Sequence, residues 1–176
     1  TLDGSPTPGC AASDSPLYRL PLWGIFPYTV GAPILGVARG AVEAYIEQTA
    51  ARPERATVIG RQLRLSESAA AVDAAHALMR AHGVELSALS RTGEPIKLEY
   101  MGRVHRDWSF SVNLCVEAVD RLATAVGAHG INEDNPIHRA SRDAHGIVNH
   151  IGLYWDQQGL PYARIALGLP AETSWG

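Results

Sequence analysis

The sequence predicts an all-α domain, a four-helix bundle in which consecutive helices run up and down. Three observations predict this architecture. Alanine, the residue with the highest intrinsic helix propensity, occurs 26 times in 176 residues. Apolar residues recur at spacings of three and four along four long segments, and no segment keeps the alternation typical of a strand. The connections between these segments are short or moderate in length, which favours antiparallel packing of neighbouring helices.

The composition is that of a single globular domain. Hydrophobic residues make up 46% of the chain and charged residues 19%, which excludes a disordered chain. The net charge is −3 and the 14 arginines are scattered, so we expect no nucleic-acid partner. Two cysteines are too few for a disulfide scaffold or a cysteine-rich zinc module. We therefore expect a cytoplasmic protein.

The chain opens on a segment that has little to bury. Residues 1–16 are rich in Pro, Gly, Ser and Asp and predict a linker or the end of a preceding domain, so the bundle domain is placed at residues 17–176. The uncharged run Leu20–Ala38 contains three prolines and three glycines, which would break a lipid-exposed helix. It predicts a buried segment and no association with a membrane.

The first two helices follow from periodicity. The first is predicted from about Thr29 to about Ala50, with Pro33 in its first turn, where no helical amide bond is lost. The second is predicted between Ser66 and Ser90. Its expected buried stripe consists of Ala70, Ala74, Ala77, Leu78, Ala81 and Leu86.

The third helix, from about Pro95 to about Ala128, has the clearest periodicity. Its apolar positions follow the spacing of a bundle seam: Met101, Val104, Trp108, Val112, Cys115, Val119, Leu122 and Val126. Together with the apolar face of the first helix, this stripe predicts self-association, because four helices alone would not bury both surfaces. A fourth helix is predicted from Asn135, an N-cap followed by proline, to about Gln158.

A polar row along the fourth predicted helix is the candidate functional site. Residues three or four apart share one face of a helix, and this row consists of His138, Ser141, Arg142, His145, Asn149 and Asp156. A solvated face is typically rich in Lys and Glu, which this row lacks, whereas a site needs short groups that exchange hydrogen bonds near neutral pH. On the pattern alone, a site and an ordinary solvated surface both remain open.

The spacings argue against other chemistries. Two histidines that ligate zinc from one helix lie four residues apart, whereas His138 and His145 are seven apart and His145 and His150 are five apart. We therefore expect no metal site. Ser141 lacks the strained turn of a nucleophile elbow. Cys115 lies on the apolar stripe of the third helix, where packing is its expected role.

Two segments resemble a known family. SPLYRLPLWGIFPYTVGAPILGVARGAVEAYIE (Ser15 to Glu47) and NPIHRASRDAHGIVNHIGLYWD (Asn135 to Asp156) are similar to the C-terminal helical domain of flavin-dependent monooxygenases with the acyl-CoA dehydrogenase fold. These proteins are the oxygenase components of two-component hydroxylases. The most specific part is the motif Arg139-x-x-Arg142-Asp143-x-His145. The resemblance extends over nearly all of residues 15–169.

The resemblance implies a reaction and a set of partners. The expected activity is hydroxylation of a small aromatic substrate, phenolic or steroid-like, with O2 as co-substrate. Reduced flavin, either FMNH2 or FADH2, would come from a separate flavin reductase component. The resemblance also implies a homotetramer with this bundle at its core, and an N-terminal helical domain and a β-domain that would precede Thr1. A lone bundle would then be inactive.

The resemblance also implies roles for the polar row. A histidine on this helix faces the flavin in the monooxygenases, which implies His145 as the catalytic residue. A neutral imidazole can hydrogen-bond a reduced-flavin oxygen species or accept a proton from a phenol. Arg142, Asn149 and His138 would bind flavin or substrate, or orient His145. Asp143 points elsewhere and is expected to brace the bundle through an arginine.

Two alternatives to the monooxygenase interpretation stay open. Acyl-CoA dehydrogenases share the fold and often carry a Tyr-Glu-Gly-Thr-like segment before the last long helix, where the glutamate abstracts the substrate proton. The stretch expected to correspond, Ile131–Pro136, lacks that motif but contains Glu133 and Asp134. The other alternative is a non-catalytic helical oligomerisation module whose histidine row is merely exposed.

Overall fold

The computed structural model describes residues 8–127 and 132–173, and within these ranges every regular element is a helix. A 3-10 turn, Pro16–Arg19, follows the first α-helix. The α-helices are α1 Pro8–Ala12, α2 Leu22–Ala50, α3 Pro53–Ala56, α4 Ile59–Thr92, α5 Leu98–Val126, α6 Pro136–Val148 and α7 Trp155–Ala166. The all-α prediction is confirmed. Helix α1 lies within the predicted linker and buries none of its residues.

The long helices alternate in direction, as predicted for an up-down bundle. α2 and α5 run parallel to each other, since Gly24 lies against Met101 and Gly31 against Trp108. α4 runs antiparallel to both. α6 and α7 together form the fourth arm and run antiparallel to α5.

Helix α5 is the centre of the bundle. It packs against α2, α4, α6 and α7, and the predicted seam from Met101 to Val126 is buried at every position. The seam prediction is therefore confirmed. Because the bundle itself covers this stripe, the stripe offers no surface for self-association, contrary to the argument from the sequence.

The buried face of α4 differs from the prediction. This helix buries Ser68, Val72, Ala75, Met79, His82, Leu86 and Ser90. Of the predicted stripe only Leu86 is buried. Three of the buried residues are polar, and two of them bond to α5: Ser68 to the carbonyl of Ala118 and His82 to Asp107. Hydrophobic periodicity cannot locate a buried stripe that contains polar side chains.

Helix α2 begins earlier than predicted and contains Pro27 and Pro33 in its interior. Proline has no amide hydrogen, so Pro27 leaves the carbonyl of Trp23 without its helical donor. A side chain of α5 replaces that donor, because Nε2 of His105 lies 3.0 Å from the carbonyl oxygen of Trp23. A tertiary hydrogen bond thus makes proline tolerable inside this helix.

Within the described ranges, α2 is also the one helix whose length and apolar composition would allow it to cross a membrane. One such helix is weak evidence, because the core helix of a soluble protein passes the same test. α2 supplies Ile34, Ala38, Ala41 and Tyr45 to the core, each at most 1% exposed. Within the predicted buried segment Leu20–Ala38 the structure buries one face, namely Gly24, Pro27, Gly31, Ile34 and Ala38, and leaves the other side chains partly or fully exposed.

The fourth predicted helix is two helices, so the prediction of one helix to Gln158 is wrong. α6 ends at Val148, and residues 149–154, here called the α6–α7 turn, precede α7. The side chain of Asn149 donates to the main-chain carbonyl of His145 at 2.7 Å, which ends the helical ladder locally. Leu153 is fully buried, so the chain turns into the bundle at this point.

Candidate functional site

His145 lies on α6 and faces α5. Its Nε2 atom lies 2.9 Å and 3.1 Å from the two carboxylate oxygens of Asp120. The hydroxyl of Ser141 donates to the same carboxylate at 2.9 Å. An ionised carboxylate can only accept, so Nε2 of His145 carries the hydrogen in this pair and Nδ1 is the basic nitrogen of the neutral ring. Asp120 is the residue that orients the imidazole, and the helical pattern of α6 could not reveal a partner on another helix.

The other residues of the predicted row have different partners. Arg142 is exposed and donates to the main-chain oxygen of Glu133 at 3.3 Å. Asn149 bonds to the backbone of His145 rather than to its ring. Nε2 of His138 is buried with no hydrogen-bond partner among the described residues. The structure therefore brings Asn149 near His145 only through the helix end, and brings neither Arg142 nor His138 into hydrogen-bond contact with the His145 ring.

Asp143 does not brace the bundle as expected. Its carboxylate lies 3.8 Å from Nε of Arg139, four residues earlier on the same helix. Both side chains are more than half exposed, and such pairs contribute little to stability. The prediction that Asp143 pairs with an arginine is confirmed, but the pair joins no two helices.

A groove of ≈ 600 Å³ runs between α2 and α6 and is lined by Val30, Val37, Arg142, Asp143, Gly146, Ile147 and His150. It brings Arg142 and His150 to one apolar-walled surface. His145 faces the other side of α6 and does not line this groove. Three aliphatic side chains, a guanidinium, a carboxylate and an imidazole line this open groove. The guanidinium and the imidazole are the groups that could contact the oxygen substituents of a planar ring, such as a flavin edge or a phenol.

His150 occupies the α6–α7 turn. Its Nδ1 atom accepts a hydrogen bond from the backbone amide of Gly152 at 3.1 Å, so in the neutral ring Nε2 carries the hydrogen and is a donor. The ring packs against Phe26 of α2, with 5.7 Å between the ring centroids. The predicted fourth helix runs uninterrupted through His150, so helical periodicity does not reveal this position. The Asn-His-Ile-Gly sequence, with Asn and Gly typical of helix ends, was the available signal.

A buried polar cluster joins α4, α5 and α7 and was not predicted. Nε2 of His82 lies 2.7 Å from Asp107, and Nε of Arg106 lies 2.6 Å from the same carboxylate. Burial favours the protonated acid, but the hydrogen bonds from His82 and Arg106 outweigh it and hold the pKa of Asp107 below its usual value. The guanidinium of Arg106 stacks over the ring of Tyr162 at 3.8 Å. The cluster ties three helices together.

Within the part of the chain that the structure describes, no three His, Cys, Asp or Glu side chains converge in a way that could hold a metal ion. Cys115 is fully buried. Burial raises the pKa of its thiol to about 12, so it is a thiol rather than a thiolate at neutral pH. Its location agrees with the predicted packing role.

Comparison with known proteins places the chain in a family. The model of the acyl-CoA dehydrogenase C-terminal domain matches residues 28–155. The chain is 32% identical over 173 residues to the oxygenase component of an FADH2-dependent resorcinol hydroxylase from Rhizobium sp., covering 90% of this chain and 42% of that protein. It is also 32% identical over 170 residues to the oxygenase subunit HsaA of a flavin-dependent monooxygenase from Mycobacterium tuberculosis, covering 92% of this chain and 43% of that protein.

The three-dimensional comparison agrees. The crystal structure of the HsaA monooxygenase from M. tuberculosis superposes with a TM-score of 0.86 at 28% identity, covering 96% of this chain and 44% of that one. The chain thus spans about two fifths of the length of the relatives it matches. The family model covers most of the chain, including the groove residues and the α6–α7 turn. The chain therefore belongs to the family of acyl-CoA dehydrogenase C-terminal domains.

Proposed function

We propose that this chain is the C-terminal helical domain of the oxygenase component of a reduced-flavin-dependent monooxygenase that hydroxylates a phenolic or steroid-like aromatic ring with O2. The observation that carries the proposal is similarity across nine tenths of the chain to two oxygenases of that class. In this arrangement residues 17–176 form the bundle domain and residues 1–16 lead into it from a preceding domain.

The proposed cofactor is reduced flavin, which when bound supplies the electrons that activate O2. FADH2 is preferred over FMNH2, because the resorcinol hydroxylase is named as FADH2-dependent. Arg142 and His150 would contact the flavin edge or the substrate oxygen from the groove, and no metal is part of the proposal. The names of the relatives, an oxygenase component and an oxygenase subunit, support a separate flavin reductase as partner.

The chain's own residues have two tasks in this proposal. Val30, Val37 and Ile147 would pack against one face of the reacting ring in this open groove. His150 donates a hydrogen bond from Nε2 to the phenolic oxygen or the flavin, since Nδ1 is already occupied by the amide of Gly152. His145 is a second candidate for proton transfer, with Nδ1 as the accepting atom and Nε2 held by Asp120. Because His145 does not line the groove, this role requires the substrate to bind on the α5 side of α6 instead.

The dehydrogenase alternative is disfavoured by one feature of the structure. Two described segments precede the helices of the fourth arm: residues 132–135 before α6, and the α6–α7 turn before α7. This turn reads Asn-His-Ile-Gly-Leu-Tyr and contains no carboxylate that could abstract a proton. A dehydrogenase base would therefore have to come from Glu133 or Asp134, before α6.

Oligomeric state and location belong to the proposal as well. A cytoplasmic homotetramer is the assembly we propose, with contacts on apolar side chains that the bundle leaves exposed, among them Ile59, Val84, Ile151 and Leu167. The seam of α5 plays no part in those contacts, because the bundle covers it. Size-exclusion chromatography with light scattering on the full oxygenase chain tests the assembly.

The activity is tested with the full oxygenase chain, a flavin reductase and ¹⁸O2. Incubation with FADH2 and a panel of phenols should yield a product that carries one ¹⁸O atom, detected by mass spectrometry. A parallel assay with acyl-CoA substrates and an artificial electron acceptor should yield no enoyl product. Oxidation of the acyl-CoA without hydroxylation of any phenol would contradict the proposal and favour a dehydrogenase.

A further inference from the structure

The α6–α7 turn is attached to the bundle by two buried side chains. The hydroxyl of Ser109, on α5, donates to the carbonyl of Leu153 at 2.6 Å. The amide nitrogen of Gln158, on α7, donates to the carbonyl of Ile151 at 3.0 Å. Ser109 is fully buried and Gln158 is 5% exposed. Both bonds end within three residues of His150.

A third buried residue, His105, contacts Gln158. The side-chain oxygen of Gln158 lies 2.8 Å from Nδ1 of His105, and Nε2 of His105 reaches the carbonyl of Trp23 that Pro27 leaves without a helical donor. His105 is 2% exposed. Both partners of the ring are hydrogen-bond acceptors, so a neutral His105 donates to one of them and only a protonated ring donates to both. His105 thus lies between Gln158 and the N-terminal part of α2, which also carries Phe26 beside the ring of His150.

The α6–α7 turn packs closely against α2 at Gly152. A Cβ atom added to Gly152 would lie 2.7 Å from Cε1 of Phe26 and 3.3 Å from Nδ1 of His150, closer than van der Waals contact. The same glycine donates the amide hydrogen that fixes the tautomer of His150. Movement of the Ile151 or Leu153 carbonyls would therefore displace both the amide and the ring that it holds.

Apolar packing alone does not explain these contacts. Leu153 already anchors the turn by burial, and a buried hydrogen-bonded group adds little net stability compared with an apolar residue of the same shape. Hydrogen bonds add direction, which packing of an aliphatic side chain does not. Two such bonds to neighbouring carbonyls define the path of the turn.

We propose that Ser109 and Gln158, the latter supported by His105, are positioning residues that hold the α6–α7 turn and so aim Nε2 of His150 into the groove. The inference rests on the proposed role of His150 in hydroxylation. Ser109 and Gln158 touch neither flavin nor substrate in this scheme, and their effect passes through the backbone of the turn.

The bundle offers a matched control. Ser68, like Ser109, is fully buried, and its hydroxyl donates to a carbonyl, that of Ala118, at 3.1 Å. It also accepts a long contact from Arg121 at 3.4 Å. Ser68 lies on the face of α4 towards the other end of α5, away from the turn. Ser109→Ala and Ser68→Ala thus remove the same chemical group from the same kind of environment at two different places.

The experiment compares both variants in the full oxygenase chain by three measurements. The melting temperature should fall by a similar amount in each variant. Hydrogen–deuterium exchange of the amides in residues 151–154 should be roughly tenfold faster in Ser109→Ala and unchanged in Ser68→Ala. Hydroxylation kcat should fall roughly tenfold in Ser109→Ala, with more H2O2 released per reduced flavin and little change in substrate KM, whereas Ser68→Ala should match the wild type.

Gln158→Glu serves as a second variant, since it keeps the side-chain shape and removes the amide donor to Ile151. It should show the same faster exchange of the turn amides and the same increase in H2O2 released per reduced flavin. If Ser109→Ala does not fold, the comparison is made with Gln158→Glu instead. Equal exchange in the turn for Ser109→Ala and Ser68→Ala, together with unchanged exchange in Gln158→Glu, would overturn the positioning role. If exchange rises as expected but His150→Ala hydroxylates like the wild type, the positioning role stands and the proposed function of His150 fails.

Discussion

Replacement of Gly31 by alanine probes the contact that sets the distance between α2 and α5. A Cβ atom at this position would lie 2.7 Å from Cε3 and 2.9 Å from Cζ3 of Trp108, and 3.4 Å from Cδ2 of Leu153. Trp108 is 2% exposed, and the ring of Tyr28 lies 4.5 Å from its own ring. The indole therefore cannot retreat, and the two helices have to separate.

Gly36, on the same helix, is the control because an added Cβ there meets no atom within 4 Å. Alanine should stabilise α2 at Gly36 by about 0.5–1 kcal/mol through helix propensity alone. At Gly31 the same gain is opposed by overpacking, which costs about 1–3 kcal/mol.

The overpacking cost at Gly31 should give the two variants different melting temperatures in thermal unfolding followed by circular dichroism. For a chain of this size each kcal/mol corresponds to roughly 2–4 °C in Tm, so an overpacking cost of about 1–3 kcal/mol should make Gly31→Ala melt about 2–12 °C below Gly36→Ala. Equal melting temperatures would show that α2 and α5 are not in the close contact from which this reasoning starts.

Three further predictions follow from the site and the core. His150→Ala in the full oxygenase chain should lower hydroxylation, by roughly two to four powers of ten where the imidazole takes part in proton transfer, whereas His145→Ala should do so only if the substrate binds on the α5 side of α6. Assays of product and H2O2 in both variants identify which ring acts, and wild-type yields in both would refute a catalytic role for either histidine. Cys115→Ala should lower stability by roughly 1 kcal/mol and leave kcat unchanged, so loss of activity in a folded variant would refute the packing role. Burial lowers the pKa of His105 below its usual 6.5, against two hydrogen bonds that raise it. The stability that the neutral ring contributes is therefore fully present above pH 6.5 and is lost as the pH falls through the lower pKa of the folded state. The Tm should fall more steeply from pH 6.5 to 5 in the wild type than in His105→Gln.

The sequence predicted the features that depend on local pattern. The seam from Met101 to Val126 and the proline-containing start of α6 lie where periodicity and capping place them. The face of α4 was missed because His82 and Ser68 are buried by bonds to α5 rather than by hydrophobicity. A pattern read along one helix carries no information about such partners.

Prediction from the pattern along one helix was least successful at the candidate site. Apolar residues continue at helical spacing through Ile151, Tyr154 and Trp155, so the periodicity predicts one helix, yet these three side chains are exposed. α6 ends where the side chain of Asn149 bonds to the carbonyl of His145, and the turn beyond it is held by Ser109 and Gln158, the first of them 44 residues from its partner in sequence. The predicted row is divided between two sides of α6, with His145 against Asp120 and Arg142 in the groove, beside His150, which lay outside the row. The residue types of a site could be found from this sequence, but which histidine faces the groove depends on contacts between helices, and those exist only once the bundle has formed.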